Sequence, residues 1–503
     1  MKQQITVTLN GLPMQAVRGM TLSEIIKNEA PCGGHGKCGK CKVIAVGTLS
    51  PITDSERAHL SPEELQRGVR LACITKAMGD CEVCTSLEGD HVKKQIVTDC
   101  DLPTFSLDPA FSRYGVAIDI GTTTLAARLY DANGTLLSTE SRLNPQASFG
   151  ADVISRIEAE LGGKGKELAS SIRGALNEMI LSLAKDCGVS AAEIDGAVIT
   201  GNTVMLYLLT ETSTEPLSHA PFHADRVFGE CLTAQALEIS CLSPETEIYL
   251  PPCISAFVGA DITCAILSTE LTKKNEPTML VDIGTNGEIA LWNGKALTVC
   301  STAAGPAFEG VGISMGMNAR EGAIDKVRFA DGQLSAHVIG NRTPIGVCGS
   351  GLVDAIACLL ECEELDPSGY LEYGEVTLAT PVLLTQKDIR MVQLAKSAIC
   401  AGLMTLLKTE QVALADVSAL CVAGGFGRYL NMENAGRIGL LPPELIDRTK
   451  TVGNAALSGA VMLLLDRRMR DGEQMLVKKG RAVELSTNPI FIDAYTEGML
   501  FEE

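Results

Sequence analysis

The tetrapeptide Asp-Ile-Gly-Thr occurs twice, at Asp119–Thr122 and at Asp282–Thr285, 163 residues apart. Each copy closes an apolar run, Tyr114-Gly-Val-Ala-Ile and Met279-Leu-Val, and each is followed by a second one, Leu125-Ala-Ala-Arg-Leu-Tyr130 and Glu288-Ile-Ala-Leu. The pattern predicts strand, tight turn and returning strand, with an Asp at the strand end and hydroxyls on the turn. Such a turn offers backbone N–H groups and hydroxyls to phosphate, and its carboxylate holds a hydrated Mg²⁺. It is not a Walker A loop, which needs Gly-Lys-Ser/Thr and a following helix. Repetition of the whole unit implies an internal duplication. The chain from 114 onward is therefore expected to form two related lobes that clamp a phosphate-bearing ligand.

Three further segments fit a nucleotide. Leu420-Cys-Val-Ala-Gly424-Gly425-Phe426-Gly427 reads as a buried strand ending in a glycine turn that an adenosine can approach closely. Val258–Leu267 and Gly453–Leu463 read as apolar helices, each with a Gly where two helices can cross. The order of these elements resembles the acetate-and-sugar-kinase, heat-shock and actin superfamily across residues 114–465. That resemblance implies a ribonuclease H-like duplicated, actin-like ATPase of α/β class.

The first ninety residues have another character. Alternating residues flank Asn10-Gly11, a hairpin signal. Thr21 and Glu24 form a capping box before a short helix, and hairpin then helix begins a β-grasp, α+β fold. Directly after comes Cys32-Gly-Gly-His-Gly-Lys-Cys38-Gly-Lys-Cys41, with Cys73 further on. Three thiolates in one glycine-rich loop and a distant fourth suit a [2Fe–2S] cluster. Structural zinc instead prefers two short Cys pairs. The stretch resembles ferredoxins of the adrenodoxin type, which share the five-residue first spacing. Cys81 and Cys84 read as strand-edge thiols, and His35 as a loop residue beside the cluster.

Composition separates the same two regions. Residues 1–100 carry 12 Lys+Arg against 11 Asp+Glu, and the other 403 carry 30 against 50. An acidic chain with 4% aromatics makes a poor nucleic-acid binder. No run approaches 18 apolar residues, and the start lacks a signal-peptide pattern, so a cytoplasmic protein off the membrane is expected. Eighteen Cys are then unlikely disulfide partners. Those after residue 100 read as buried free thiols, the Cys358/Cys362 pair as a weak metal candidate, and His219 and His223 as loop residues.

A four-cysteine domain ahead of an ATP clamp resembles the reductive activators of corrinoid-dependent methyltransferases. Asn144-Pro-Gln, Gly150-Ala-Asp152-Val-Ile-Ser-Arg156, Thr200-Gly-Asn-Thr203, Ser301–Gly310 and Cys348-Gly-Ser-Gly-Leu-Val-Asp354 carry the likeness further. The resemblance implies a ferredoxin-like domain at 1–90, a linker at 91–113 and an ATPase at 114–503, with lobes at 114–275 and 276–503. Cys32, Cys38, Cys41 and Cys73 would hold iron. Gly121, Thr122, Thr123, Thr124, Gly284, Thr285, Asn286 and Gly287 would cradle phosphates, Asp119 and Asp282 would position Mg²⁺ and water, and Gly424, Gly425 and Phe426 would face the adenosine. Glu288 either orients the attacking water or is a solvated turn residue. Ser301–Glu309 touches either a phosphate or the partner's corrinoid. The implied activity is ATP-dependent transfer of one electron to Co(II) of a corrinoid protein, fed by a reductase or ferredoxin, in a homodimer. The alternatives are an ATP-driven donor to another low-potential enzyme, a redox sensor without turnover, and a carbohydrate kinase, which leaves the cysteines unexplained.

Overall fold

The structure, a computed structural model, describes residues 3–9, 12–26, 33–37, 39–85 and 102–501. It divides into two compact units: Met1–Val92 with Leu143–Ala175 and Tyr207–His219, and the rest of the chain.

In the first unit, β1 (Gln4–Leu9) and β2 (Leu12–Val17) pair antiparallel with Leu9 opposite Leu12. Asn10 and Gly11, the expected turn, lie outside the described residues. The Thr21 N–H donates to Glu24 Oε2 at 2.8 Å and the Glu24 N–H to Thr21 Oγ1 at 3.3 Å, closing the capping box of the helix Leu22–Ile26. With β3 (Lys42–Leu49), β4 (Val69–Leu71) and β5 (Ala77–Cys84), the sheet has the order β2-β1-β5-β3-β4, β1 and β5 running parallel. This is the expected β-grasp arrangement, over a core of Val7, Leu22, Val43, Leu71 and Val83. The strand-edge reading of Cys81 and Cys84 is corrected: β5 is the middle strand, and Cys81 points into the core, where burial and then Asp80 raise its thiol pKa.

The second unit shows the duplication in its topology. β6 (Tyr114–Ile120), β7 (Thr124–Asp131), β8 (Leu136–Leu143), β9 (Ile194–Gly201), β10 (Glu230–Thr233) and β11 (Glu247–Leu250) form a sheet of order β10-β11-β9-β6-β7-β8. After β12 (Thr278–Ile283), β13 (Gly287–Trp292) and β14 (Leu297–Thr302) come a small sheet of β15 (Ala323–Ala330), β16 (Gln333–Val338) and β17 (Gly346–Val347), and a hairpin of β18 (Glu375–Ala379) and β19 (Val382–Thr385). β20 (Ala419–Ala423), β21 (Thr449–Thr451) and β22 (Gly480–Ala482) complete a second sheet, β21-β20-β12-β13-β14-β22. In each, the motif strand pairs antiparallel with its returning strand and parallel with a strand from much later in the chain, β9 for β6 and β20 for β12.

The helices Ala260–Ser268 and Ala455–Leu465 cross at Gly459, where a Cβ would sit 2.1 Å from the Cys264 carbonyl oxygen; Gly259 instead precedes its helix and abuts the backbone of Asn202 and Thr203. Every residue of Ala455–Leu465 is buried, so apolarity all round is required of it. Of the expected linker, residues 91–101 lie outside the described residues. Residues 102–113 are docked: the Asp108 and Ala110 N–H groups donate to the Leu465 and Leu464 carbonyls, and Phe111 is buried beside Gly115 and Gly196. The helix Gln386–Thr409 is long and apolar enough to cross a membrane. Most of it is buried, and Pro489–Glu497 packs along it, with Lys396 bonded to the Leu500 carbonyl.

Candidate functional site

The two Asp-Ile-Gly-Thr turns meet at one cavity of about 260 Å³ in the second unit. Their local geometry is alike: the Gly121 N–H donates to the Thr124 carbonyl at 2.9 Å, and the Gly284 N–H to the Asn286 carbonyl at 3.0 Å. Asn202 donates to Thr122 Oγ1 at 3.1 Å. The hydroxyls of Thr123 and Thr285 both donate to Glu309 Oε2, at 2.8 and 3.1 Å. Asp119, Gly121, Thr122, Thr123, Thr124, Asp282, Gly284, Thr285, Asn286, Glu288, Gly424, Gly425 and Phe426 line the cavity together. Gly287 sits behind its wall, in β13, where a Cβ would meet Thr302 Oγ1 at 2.8 Å and Ile399 Cγ1 at 3.1 Å. Its adjacency to the turn suggests a phosphate contact; strand pairing turns it inward instead.

Carboxylates crowd the floor. Burial first, opposed by a hydrogen bond from Asn454, raises the Asp119 pKa to about 6. Burial, then Asp119 and Glu309, raises Asp282 to about 7. Burial, then Asp119 and Asp282, raises Asp261 to about 8. Glu288 stands cross-strand from Asp282, and burial with Asp261 and Asp282 pushes it far up. It is a buried strand residue, so the solvated-turn alternative falls. Like charges held this close destabilise one another unless a cation or protons intervene. Acidic groups crowded beside phosphate-type turns therefore suit a divalent cation brought in with a phosphate ligand, although among the described residues no three of them converge to ligate one directly.

Asn202, Asp261, Glu309, Ser350 and Asn454 also line the cavity, and sequence reasoning does not single them out as ligands. Asn454 caps the helix Ala455–Leu465, accepting from the Leu457 N–H at 2.8 Å, and donates to Asp119 Oδ2 at 2.9 Å. Asp261 occupies the first turn of Ala260–Ser268. A polar residue at the start of each Gly-helix is the signal that could have found them.

Where the sequence places adenosine, Gly424 has φ +93°, and a Cβ there would sit 2.8 Å from Asp282 Oδ1, so only glycine suits. Phe426 stacks on Phe308, ring centres 5.0 Å apart and planes 17° apart. The helix Gly349–Glu361 begins at the cavity with Gly349 and Ser350; a Cβ on Gly349 would collide with the Phe308 carbonyl oxygen and the Phe426 ring.

In the first unit, Cys41 and Cys73 are buried and adjacent: the Cys73 N–H donates to Cys41 Sγ at 3.5 Å. A hydrogen bond with the Cys73 side chain, opposed by burial, lowers Cys41 to about 7, the direction a metal-binding thiolate needs. Cys32 and Cys38 lie outside the described residues. The described pair thus fits half of a four-thiolate iron site. His35 is exposed, as a loop residue. Cys253, Cys264, Cys300, Cys348, Cys358 and Cys421 are buried free thiols. The Cys358 and Cys362 thiols point to the Val327 and Leu359 carbonyls, and no third His, Cys, Asp or Glu among the described residues joins them in a metal-binding group.

Known proteins resemble the chain over nearly its full length. Residues 114–274 match the RACo middle region, and 276–503 the C-terminal domain of RACo, its ASKHA domain. A corrinoid activation enzyme of Eubacterium limosum, RamQ, is 35% identical over 425 residues, 77% of this chain and 70% of that protein. A Co(II) methylated-amine-specific corrinoid protein reductase of Methanosarcina barkeri is 27% identical over 77% of this chain and 78% of its own. A stretch of 96 residues, 18% of this chain, is 33% identical to a component of the Na⁺-translocating NADH-quinone reductase of Neisseria meningitidis, covering 24% of that component. A solved reductive activator for corrinoid, iron-sulfur protein superposes with a TM-score of 0.71 at 28% identity, covering 99% of this chain and 98% of the other. With a β-grasp domain ahead of a duplicated actin-like ATPase, the chain belongs to the RACo family of reductive activators of corrinoid proteins.

Proposed function

We propose that this protein is an ATP-dependent reductive activator. It passes one electron from a [2Fe–2S] cluster to the Co(II) form of a corrinoid protein, restoring Co(I) for methyl transfer. The observation that carries the reading is the convergence of both Asp-Ile-Gly-Thr turns on one carboxylate-floored cavity, in a chain whose first domain sets Cys41 against Cys73.

Each residue then has a task. Cys32, Cys38, Cys41 and Cys73 hold the iron, and the Cys73 N–H stabilises charge on Cys41. Bound there, the cluster supplies single electrons. Thr122 to Thr124 and Gly284 to Asn286 receive the phosphates. Asp119 and Asp282 hold Mg²⁺ through water, which relieves the repulsion among the floor carboxylates. Glu288 orients the attacking water. Gly424, Gly425 and Phe426 accept the adenosine. ATP does not close the uphill gap to cobalt by binding passively; its hydrolysis drives a cycle between a conformation that grips the Co(II) protein and one that releases it once Co(I) forms.

We divide the chain functionally into 1–90, a connecting stretch 91–113, and 114–503. We read it as a homodimer charged by a reductase or ferredoxin in the cytoplasm, a reducing setting that suits its free thiols. The test is anaerobic reconstitution with a low-potential donor and a Co(II) corrinoid protein of the same organism, followed by visible spectroscopy. Co(I) should form only with MgATP and be lost in Cys38→Ala. An intact cluster and ATP hydrolysis without Co(I) would move the acceptor elsewhere.

A further inference from the structure

Glu309 lies on the loop after β14, which the sequence leaves undecided between phosphate and partner. Its Oε2 accepts one hydroxyl from each copy of the repeat, Thr123 at 2.8 Å and Thr285 at 3.1 Å. A carboxylate oxygen, like a phosphate oxygen, is a pure acceptor carrying negative charge. It therefore occupies the acceptor position between the two turns that a phosphate would take. The backbone beneath it is fixed: Gly310 has φ +79°, and a Cβ there would lie 2.5 Å from the Met317 N. The Phe308 carbonyl abuts Gly349 while its ring stacks on Phe426. With the backbone held there, movement at this point falls to the Glu309 side chain.

We propose that Glu309 is a built-in substitute for the nucleotide's phosphate. It is a positioning residue that ties the two turns together when the cavity is empty and swings aside when Mg-nucleotide enters. The proposal rests on the ATP-site reading above. The apparent affinity for nucleotide is then reduced by the fraction of molecules in which Glu309 holds both hydroxyls. Removing the carboxylate should tighten binding, whereas removing an ordinary structural residue or a phosphate ligand should weaken it.

The test is fluorescence titration of the full-length holoprotein with MgADP and with Mg²⁺ plus a non-hydrolysable ATP analogue. Glu309→Ala should bind roughly ten-fold more tightly than wild type, the scale of one charged hydrogen bond. Glu309→Gln, which keeps the shape without the charge, should fall between. Loss of negative charge alone also favours an anionic ligand, so amide exchange is measured without nucleotide. Residues 120–125 and 283–288 should exchange faster in Glu309→Ala and recover protection with MgADP. Unchanged or weaker binding in folded variants overturns the proposal, and so does tighter binding with unchanged exchange. A wild-type protein that binds neither nucleotide overturns the ATP site itself, and the proposal with it.

Discussion

Glu56 is fully buried, ion-paired with Arg70 at 2.7 Å and bonded to the Thr75 hydroxyl at 2.9 Å. Burial alone would raise its pKa; Arg70, then the Thr53 and Thr75 contacts, overcome this and hold it at about 2. Its stabilisation is therefore present above the ordinary carboxylate value near 4.5 and is lost as pH falls toward 2. Glu56→Gln should cost the first domain about 3 kcal/mol in denaturant titration, because Arg70 is left buried without its counter-charge. The floor carboxylates have the opposite sign. Asp119, Asp282 and Asp261 are raised from 3.8 to about 6, 7 and 8, so the stability cost of their burial grows as pH rises from the ordinary carboxylate value to those values. Asp282→Asn should stabilise the ligand-free ATPase by about 1 kcal/mol and abolish the extra stability conferred by MgADP, both read by calorimetry. Asp119 and Asp282 are legible in sequence because their signal is local and repeated. Asp261, Asn202 and Asn454 are not, because long-range strand pairing and helix packing bring them to the turns.

The crossing of Ala260–Ser268 with Ala455–Leu465 depends on Gly459, whose missing side chain admits the Cys264 carbonyl. Gly459→Ala inserts a methyl against backbone, which cannot rotate away. It should lower ATPase stability by about 1–3 kcal/mol while leaving the cluster's visible spectrum intact; a bleached cluster would contradict the separation of the two units. Asn454→Ala removes both a cap and the hold on Asp119, and should cost about 1 kcal/mol together with a drop in ATP turnover. The apolar helix with its central Gly459 is readable in advance, as are both Asp-Ile-Gly-Thr hairpins; Gly259 is misread as a crossing point because it stands one residue ahead of its helix. The place of β5 is not: a parallel pairing with β1 across some seventy residues leaves no local mark, so Cys81 and Cys84 look peripheral in sequence. Gly287 misleads for a related reason, since adjacency to a turn says nothing about which face of the strand packs inward.

The two domains should respond to acid in opposite directions. Between pH 7 and 4.5 the ligand-free ATPase should gain stability as its floor carboxylates protonate, while the first domain stays level. Below 4.5 the first domain should weaken as Glu56 protonates. Calorimetry across that range should show two transitions that shift independently, the ATPase's upward between pH 7 and 4.5 and the first domain's downward below 4.5; a single transition moving as a unit would refute the division. The helix Ala455–Leu465 links two tethers within the second unit. Asn454 at one end bonds Asp119 in the carboxylate-floored cavity, and at the other the Leu464 and Leu465 carbonyls accept from Ala110 and Asp108. A rigid rod of eleven residues, about 16 Å long and held near its middle at Gly459, behaves as a rocker arm on a fulcrum. Were phosphate to tilt the Asp119 end, the rod should carry the motion to the tether, so amide exchange at Asp108 and Ala110 should change when MgADP is added.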